Sequence, residues 1–364
     1  NYISQKIYFI KTTIMLKRIY LLIVPIIILS SCANENNKNT NDNKSSEEQF
    51  LTLYTHRHYD SDKEIFSNFE QQTGIKVNVV KANADELIQK MESEGEQSPA
   101  DLLITVDAGR LVRAKNKGLL QSANSKLLND LIPEHLRDSE NHWFGLTKRA
   151  RVIVYNKESV KTEELSSYED LTNSNWKNKI LIRSSGNIYN QSLMASIIAN
   201  NGDSIAKIWA KGMVNNFARD PKGNDRDQVK ALLAGEGELA IINTYYLGKL
   251  LNSKDSNEVA AGKAVNVFFP NQEGRGTHIN VSGIGVAKYS PNKINAIKFI
   301  EYLASKEVQE IFAKANYEYP VNKNAKSSEL LKSWGDFKED NLPLSKLGEL
   351  NKEAVIIFDE VKWK

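Results

Sequence analysis

The chain of 364 residues contains a single cysteine, Cys32. One cysteine excludes an intramolecular disulfide, and it excludes cysteine-based zinc, haem and iron–sulfur sites. Gly-x-Ser-x-Gly and His-Glu-x-x-His are both missing, so neither a serine-hydrolase elbow nor a metalloprotease helix is present. His135, His142 and His278 have no clustered partners in the sequence. There is no internal repeat. A fold without crosslinks has to rest on a large apolar core. The length, with 41% hydrophobic residues, supplies enough material for two domains.

The longest apolar run is short. Ile19 to Leu29 follows Lys17-Arg18 and runs into Leu29-Ser30-Ser31-Cys32. A basic segment, a brief apolar stretch and small residues read as a secretory signal rather than a membrane span. Leu-Ser-Ser-Cys resembles a bacterial lipobox, which implies cleavage before Cys32 and acylation of that residue. Residues 1–31 are thus expected to be a signal peptide. Met15 is the expected start, leaving 1–14 upstream of translation. The formal charge of +3 falls to −1 once Lys6, Lys11, Lys17 and Arg18 are removed with the signal. A near-neutral chain gives no support to nucleic-acid binding. Residues 32–49 combine the acylated cysteine with an Asn-, Lys-, Ser- and Glu-rich stretch. Such a composition buries too little to order itself and is expected to be a tether.

From Phe50 onward, strand and helix patterns alternate. Leu51–Thr55, Ile75–Val80, Leu102–Val106, Val152–Tyr155, Ile180–Ile182, Leu239–Thr244, Val265–Phe269 and Ile279–Val286 read as strands. Ser61-Asp62-Lys63-Glu64 reads as a capping box, followed by Ile65, Phe66 and Phe69 on one helical face and by Gly74 as a stop. Asn83 and Glu86 mark another helix start, and Asp107 a third. Further helices are expected at 190–200, 203–215 and 226–235, around Ile297–Leu303 and in the C-terminal region. The alternation argues for α/β architecture with a parallel arrangement. Open α/β sheets bind ligands beyond the carboxyl ends of their strands. Functional residues are therefore sought at 55–60, 106–110, 183–189 and 243–246.

Three of these four segments carry tyrosines: Tyr59, Tyr189 and the pair Tyr245-Tyr246. A phenol with its ordinary pKa of about 10 is a poor acid or base at neutral pH. A convergence of phenols has a reason if a hard cation binds there, because such a cation favours anionic oxygen and lowers the pKa of what it coordinates. Tyr54 and Tyr155 sit within strand patterns and are expected in the core.

The segments Leu53-Tyr54-Thr55-His56-Arg57-His58-Tyr59-Asp60, Val106-Asp107-Ala108-Gly109-Arg110-Leu111, Arg183-Ser184-Ser185-Gly186-Asn187-Ile188-Tyr189-Asn190-Gln191-Ser192 and Asn243-Thr244-Tyr245-Tyr246 resemble the ferric-iron-binding periplasmic proteins of ABC importers. Phe269-Pro270-Asn271-Gln272, Gly274-Arg275-Gly276-Thr277-His278 and Tyr319-Pro320-Val321-Asn322 extend that resemblance from about residue 50 to the C-terminus. It implies a two-lobe, type II periplasmic-binding-protein fold with a hinge and an interlobe cleft. The lobes are expected at 50–147 plus 276–312 and at 148–275 plus 313–364. It further implies Fe3+ ligation by His58, Tyr59, Tyr189, Tyr245 and Tyr246, without a synergistic anion. His56 is expected to be structural. Four phenolates on Fe3+ leave one negative charge, which a nearby cation should offset. Arg57, Arg110, Arg149 and Arg183 are the candidates, Arg149 and Arg110 first.

The implied partner is an ABC importer permease. The implied location is the cell envelope, periplasmic or on the outer face of the cytoplasmic membrane, with lipid as the sole membrane attachment and the protein a monomer. Two readings compete. The same scaffold could hold a polyamine, thiamine or an oxyanion, through carboxylates, aromatic stacking or backbone donors. An extracellular enzyme would need a catalytic motif and an open coordination position, which neither the sequence nor a protein-filled shell offers.

Overall fold

The computed structural model describes residues 48–57 and 59–364. Cys32, the expected signal peptide, the expected tether up to residue 47 and His58 lie outside the described residues. Ten strands form one continuous sheet: β1 (Phe50–Thr55), β2 (Lys76–Lys81), β3 (Leu102–Val106), β4 (Leu120–Gln121), β5 (Phe144–Asn156), β6 (Ile180–Leu181), β7 (Leu239–Asn243), β8 (Val265–Phe268), β9 (Ile279–Ala287) and β10 (Tyr319–Pro320). The order is β2-β1-β3-β9-β5-β7-β6, with β4 on β9 and with β8 and β10 on β5.

β5 organises this sheet by changing partners along its length. Its first half, Phe144 to Ala150, pairs with β9, and its second half, Arg151 to Tyr155, pairs with β7. β8 joins the second half, and β10 joins the first half at Thr147 and Lys148. The result is two sheet halves joined by one continuous strand. Pairing is parallel for β1–β2, β1–β3 and β6–β7, but antiparallel wherever β5 or β9 takes part. The sheet is thus mixed, not parallel throughout.

Local signals explain most element boundaries. Helix Asp60–Thr73 buries Ile65, Phe66 and Phe69 and ends at Gly74, whose φ of 70° suits a residue without Cβ. Helix Ala84–Glu94 carries the expected capping box of Asn83 and Glu86. The box expected at Ser61–Glu64 does not form. That helix begins at Asp60 without a side-chain cap; Ser61 lies inside it, and its hydroxyl donates to the Asn316 side chain at 3.0 Å. Tyr54 and Tyr155 are buried, as expected. Among the described residues no helix is long and apolar enough to cross a membrane.

Candidate metal centre

Four of the five residues implied as ligands are described, and all four line one cavity of about 240 Å³, with His56, Arg57, Val106, Arg183, Asn224, Arg226 and Lys249. Tyr59 stands at the end of the segment that follows β1, immediately before helix Asp60–Thr73. Tyr189 lies in the first turn of helix Ile188–Asn201, whose start is capped by the Asn187 side chain. β7 stops at Asn243 and helix Thr244–Leu251 begins at once. On a continuing strand, Tyr245 and Tyr246 would face opposite ways. At this strand-to-helix junction their rings instead sit side by side, 4.2 Å between centroids. The Tyr245 hydroxyl donates to the Tyr189 hydroxyl at 3.2 Å.

Tyr59, Tyr189 and Tyr245 are held neutral in the absence of a cation. Burial, with Glu318 as a further cause, pushes Tyr59 well above the ordinary tyrosine value. Burial and the neighbouring phenols do the same for Tyr245, and burial with Tyr246 does so for Tyr189. Cations surround them. The Arg57 guanidinium lies 4.7 Å from the Tyr59 ring centroid and the Lys249 ammonium 4.4 Å from it. Lys249 also approaches the Tyr245 ring at 5.4 Å, and Arg149 approaches it at 5.7 Å. Burial lowers the Lys249 pKa. Among the described residues no carboxylate lines the cavity.

Of the four arginine candidates, three are brought to the cluster. Arg57 and Arg183 line the cavity. Arg149 is buried behind Tyr245, where it donates to Ser282 at 2.6 Å and to Glu318 at 2.9 Å. Arg110 points elsewhere, to Asp85 at 3.2 Å, because helix Ala108–Asn116 turns that side chain toward helix Ala84–Glu94.

Sequence reasoning missed four participants. Lys249 follows Tyr245 by one helical turn, and the i, i+4 spacing could have found it. Glu318 immediately precedes the Tyr319-Pro320 motif, is fully buried and joins Arg149 to Arg57. Arg151 and Asp225 are both buried and pair at 3.0 Å. Isolated charges in the sequence carry no mark of such pairing. Elsewhere, Asp138, Glu140 and His142 form a grouping of metal-ligand types. A cation already fills it: the Lys115 ammonium, 2.8 Å from Asp138 and 2.6 Å from Glu140.

A cleft lined from both halves of the sheet defines a two-lobe, type II periplasmic-binding-protein fold. Residues 97–338 match the family described as bacterial extracellular solute-binding protein, and the chain belongs to that family. It is 49% identical over 337 residues to iron uptake protein A1 of Synechocystis sp., covering 93% of each chain. Among solved structures, a Trichodesmium protein in complex with iron and citrate ligands is 51% identical. That match covers 86% of this chain and all of the other, with a TM-score of 0.85. A ferric binding protein from Campylobacter jejuni is 48% identical, with 86% and 100% coverage and a TM-score of 0.82.

Proposed function

We propose that the chain is the ferric-ion-binding component of an ABC-type iron importer. It captures Fe3+ in the cleft through Tyr59, Tyr189, Tyr245, Tyr246 and His58, and it hands the ion to a permease. The observation that carries this reading is the convergence of four phenols from three separate segments on one cavity, two of their oxygens 3.2 Å apart. Apolar burial alone would not gather hydroxyls, since each buried polar group must find a partner. A trivalent cation supplies one partner for all four. It also supplies the driving force for deprotonation that the neutral site withholds. The names of the relatives support the same cargo.

The protein's own residues do the rest. Arg57, Arg149 and Lys249 put positive charge on the faces of Tyr59 and Tyr245, which favours the phenolate forms. Lobes at 50–147 plus 276–312 and at 148–275 plus 313–364 close on the ion. The partner of β5 changes at Ala150–Arg151, and β10 pairs with its first half, so 148–150 and 319–320 go with the first lobe rather than the second. Ligands from two lobes make closure the state that the ion favours. The protein works as a monomer, tied to the cell envelope by acylated Cys32. A free oxyanion is the second reading, favoured by Arg183, Arg226 and Lys249 on the cavity wall. The lack of a lining carboxylate disfavours a polyamine.

Titration of the purified protein with Fe3+ in weak buffer tests this. A visible phenolate-to-iron charge-transfer band should saturate at one ion per chain. Protons should be released beyond those from iron hydrolysis. A colourless protein that binds phosphate but not Fe3+ would overturn the reading in favour of the oxyanion.

A further inference from the structure

The charges around the phenols do not cancel evenly. On the Tyr59 side, Arg57 pairs with Asp62 at 3.2 Å and Glu318 at 3.6 Å, while Arg149 pairs with Glu318 at 2.9 Å. Two guanidiniums meet two carboxylates there, and the Lys249 ammonium, 4.4 Å from the Tyr59 ring centroid, adds a further cation. The Tyr189 side carries an excess of its own. Arg151 and Arg183 both close on Asp225, each at 3.0 Å, and Asp225 is fully buried. Among the described residues neither arginine has a second carboxylate in ion-pair range. The remaining contacts are neutral: Arg151 donates to Asn243 at 3.1 Å and to Asn190 at 2.7 Å. The Nε atoms of both arginines are buried with no hydrogen-bond acceptor. One positive charge is therefore left over, and it lies beside the cluster. The two guanidiniums are 5.9 and 5.7 Å from the Tyr189 ring centroid.

The group is tied to the same helix turn as that tyrosine. Asn190, its neighbour, accepts from Arg151 and donates to the Arg183 carbonyl at 2.8 Å. Two like charges sharing one buried counter-ion are costly unless something else needs the excess. An anionic guest beside it would. We propose that Arg151, Arg183 and Asp225 are positioning residues that set the net charge of the iron site, leaving one positive charge beneath Tyr189 to offset the negative charge of a tetraphenolate Fe3+ centre. This rests on the ferric reading above. Reduction to Fe2+ adds a further negative charge to the centre. The excess cation stabilises that state more than the ferric one, and the low-dielectric surroundings enlarge the difference. The triad therefore holds the Fe3+/Fe2+ potential higher than a neutral surround would.

Spectroelectrochemistry of the iron-loaded protein tests this with three variants. Arg183→Gln removes a charge and should lower the potential. Arg183→Lys keeps the charge and should stay near the wild type. Asp225→Asn removes the counter-charge and should raise the potential. Arg183 borders the cavity with its side chain 19% exposed, so its variants should fold. If Asp225→Asn does not accumulate, the Arg183 pair decides alone. An unmoved potential in Arg183→Gln would overturn the inference, as would equal displacement by Gln and Lys. An iron band in the wild type with unmoved potentials would refute only the triad. No band in the wild type would refute the ferric reading itself.

Discussion

Acid should destabilise the iron-free protein through one residue at the β5–β9 crossing. His278 is 3% exposed. Burial, reinforced by the cations Arg151 and Arg275, lowers its pKa to about 3. In the unfolded chain the ring titrates near its ordinary value of about 6.5. Below that value the unfolded chain takes up a proton that the folded chain refuses. Stability is therefore fully present above about pH 6.5 and is lost as pH falls toward the folded pKa. One proton of difference amounts to about 1.4 kcal/mol per pH unit, so about 2 kcal/mol should be lost between pH 6.5 and pH 4.5. The carboxylates held below their ordinary values, such as Glu169 and Glu339, add their own loss as pH nears 4.5, and a non-titrating variant carries the same loss. Urea unfolding of the iron-free protein at pH 7, 6, 5 and 4.5 measures the slope. His278→Gln keeps a polar side chain but cannot titrate, and its stability should fall by about 2 kcal/mol less than that of the wild type over this window. If variant and wild type lose stability in parallel, His278 is not the source and its neutral burial is misjudged.

Alkali should act in the opposite sense through the phenols. Tyr59, Tyr189 and Tyr245 are held above their ordinary pKa, so their stability contribution is present below about pH 10 and is lost as pH rises further. Bound Fe3+ should suppress this loss, which thermal melts with and without iron would reveal. Gly248 sits where a Cβ would lie 2.5 Å from the Tyr317 side chain. Gly248→Ala should therefore cost about 1–3 kcal/mol by overpacking, read by denaturant unfolding; a neutral change would mean that Tyr317 yields freely. Cys32→Ser should abolish radiolabelled fatty-acid incorporation in cells, and unchanged labelling would contradict acylation at that residue.

How far the structure could be read in advance depends on how local its causes are. Helix stops and caps such as Gly74 and Asn83–Glu86 depend on a few adjacent residues, and they appear where the sequence places them. The short helix that presents Tyr245 and Tyr246 has equally local causes, since Leu247 and Leu250 bury themselves directly after the pair. β5 was only half legible. Lys148 and Arg149 in its first half and Arg151 at the start of its second are charges that interrupt an apolar strand pattern. In the fold their partners Glu339, Glu318 and Asp225 arrive from distant segments. The same long-range pairing misdirected the capping box at Ser61 and hid Glu318 and Asp225 as members of the site. Arg110 was favoured for its place in a motif, but Asp85, 25 residues earlier in the chain, determines where it points.

The central claim is that Tyr245 and Tyr246 bind iron and do not merely pack. Their conversion to phenylalanine removes one oxygen each and leaves both rings in place. The measurement is the visible spectrum and Fe3+ affinity of Tyr245→Phe and Tyr246→Phe, with Tyr155→Phe as control, since that hydroxyl meets Thr162 at 2.6 Å away from the cavity. Ferric ligation requires that each pair variant shift or weaken the charge-transfer band and lower the affinity, with the iron-free melting temperature little changed and the control unaltered. Wild-type spectra and affinities in both pair variants would contradict it.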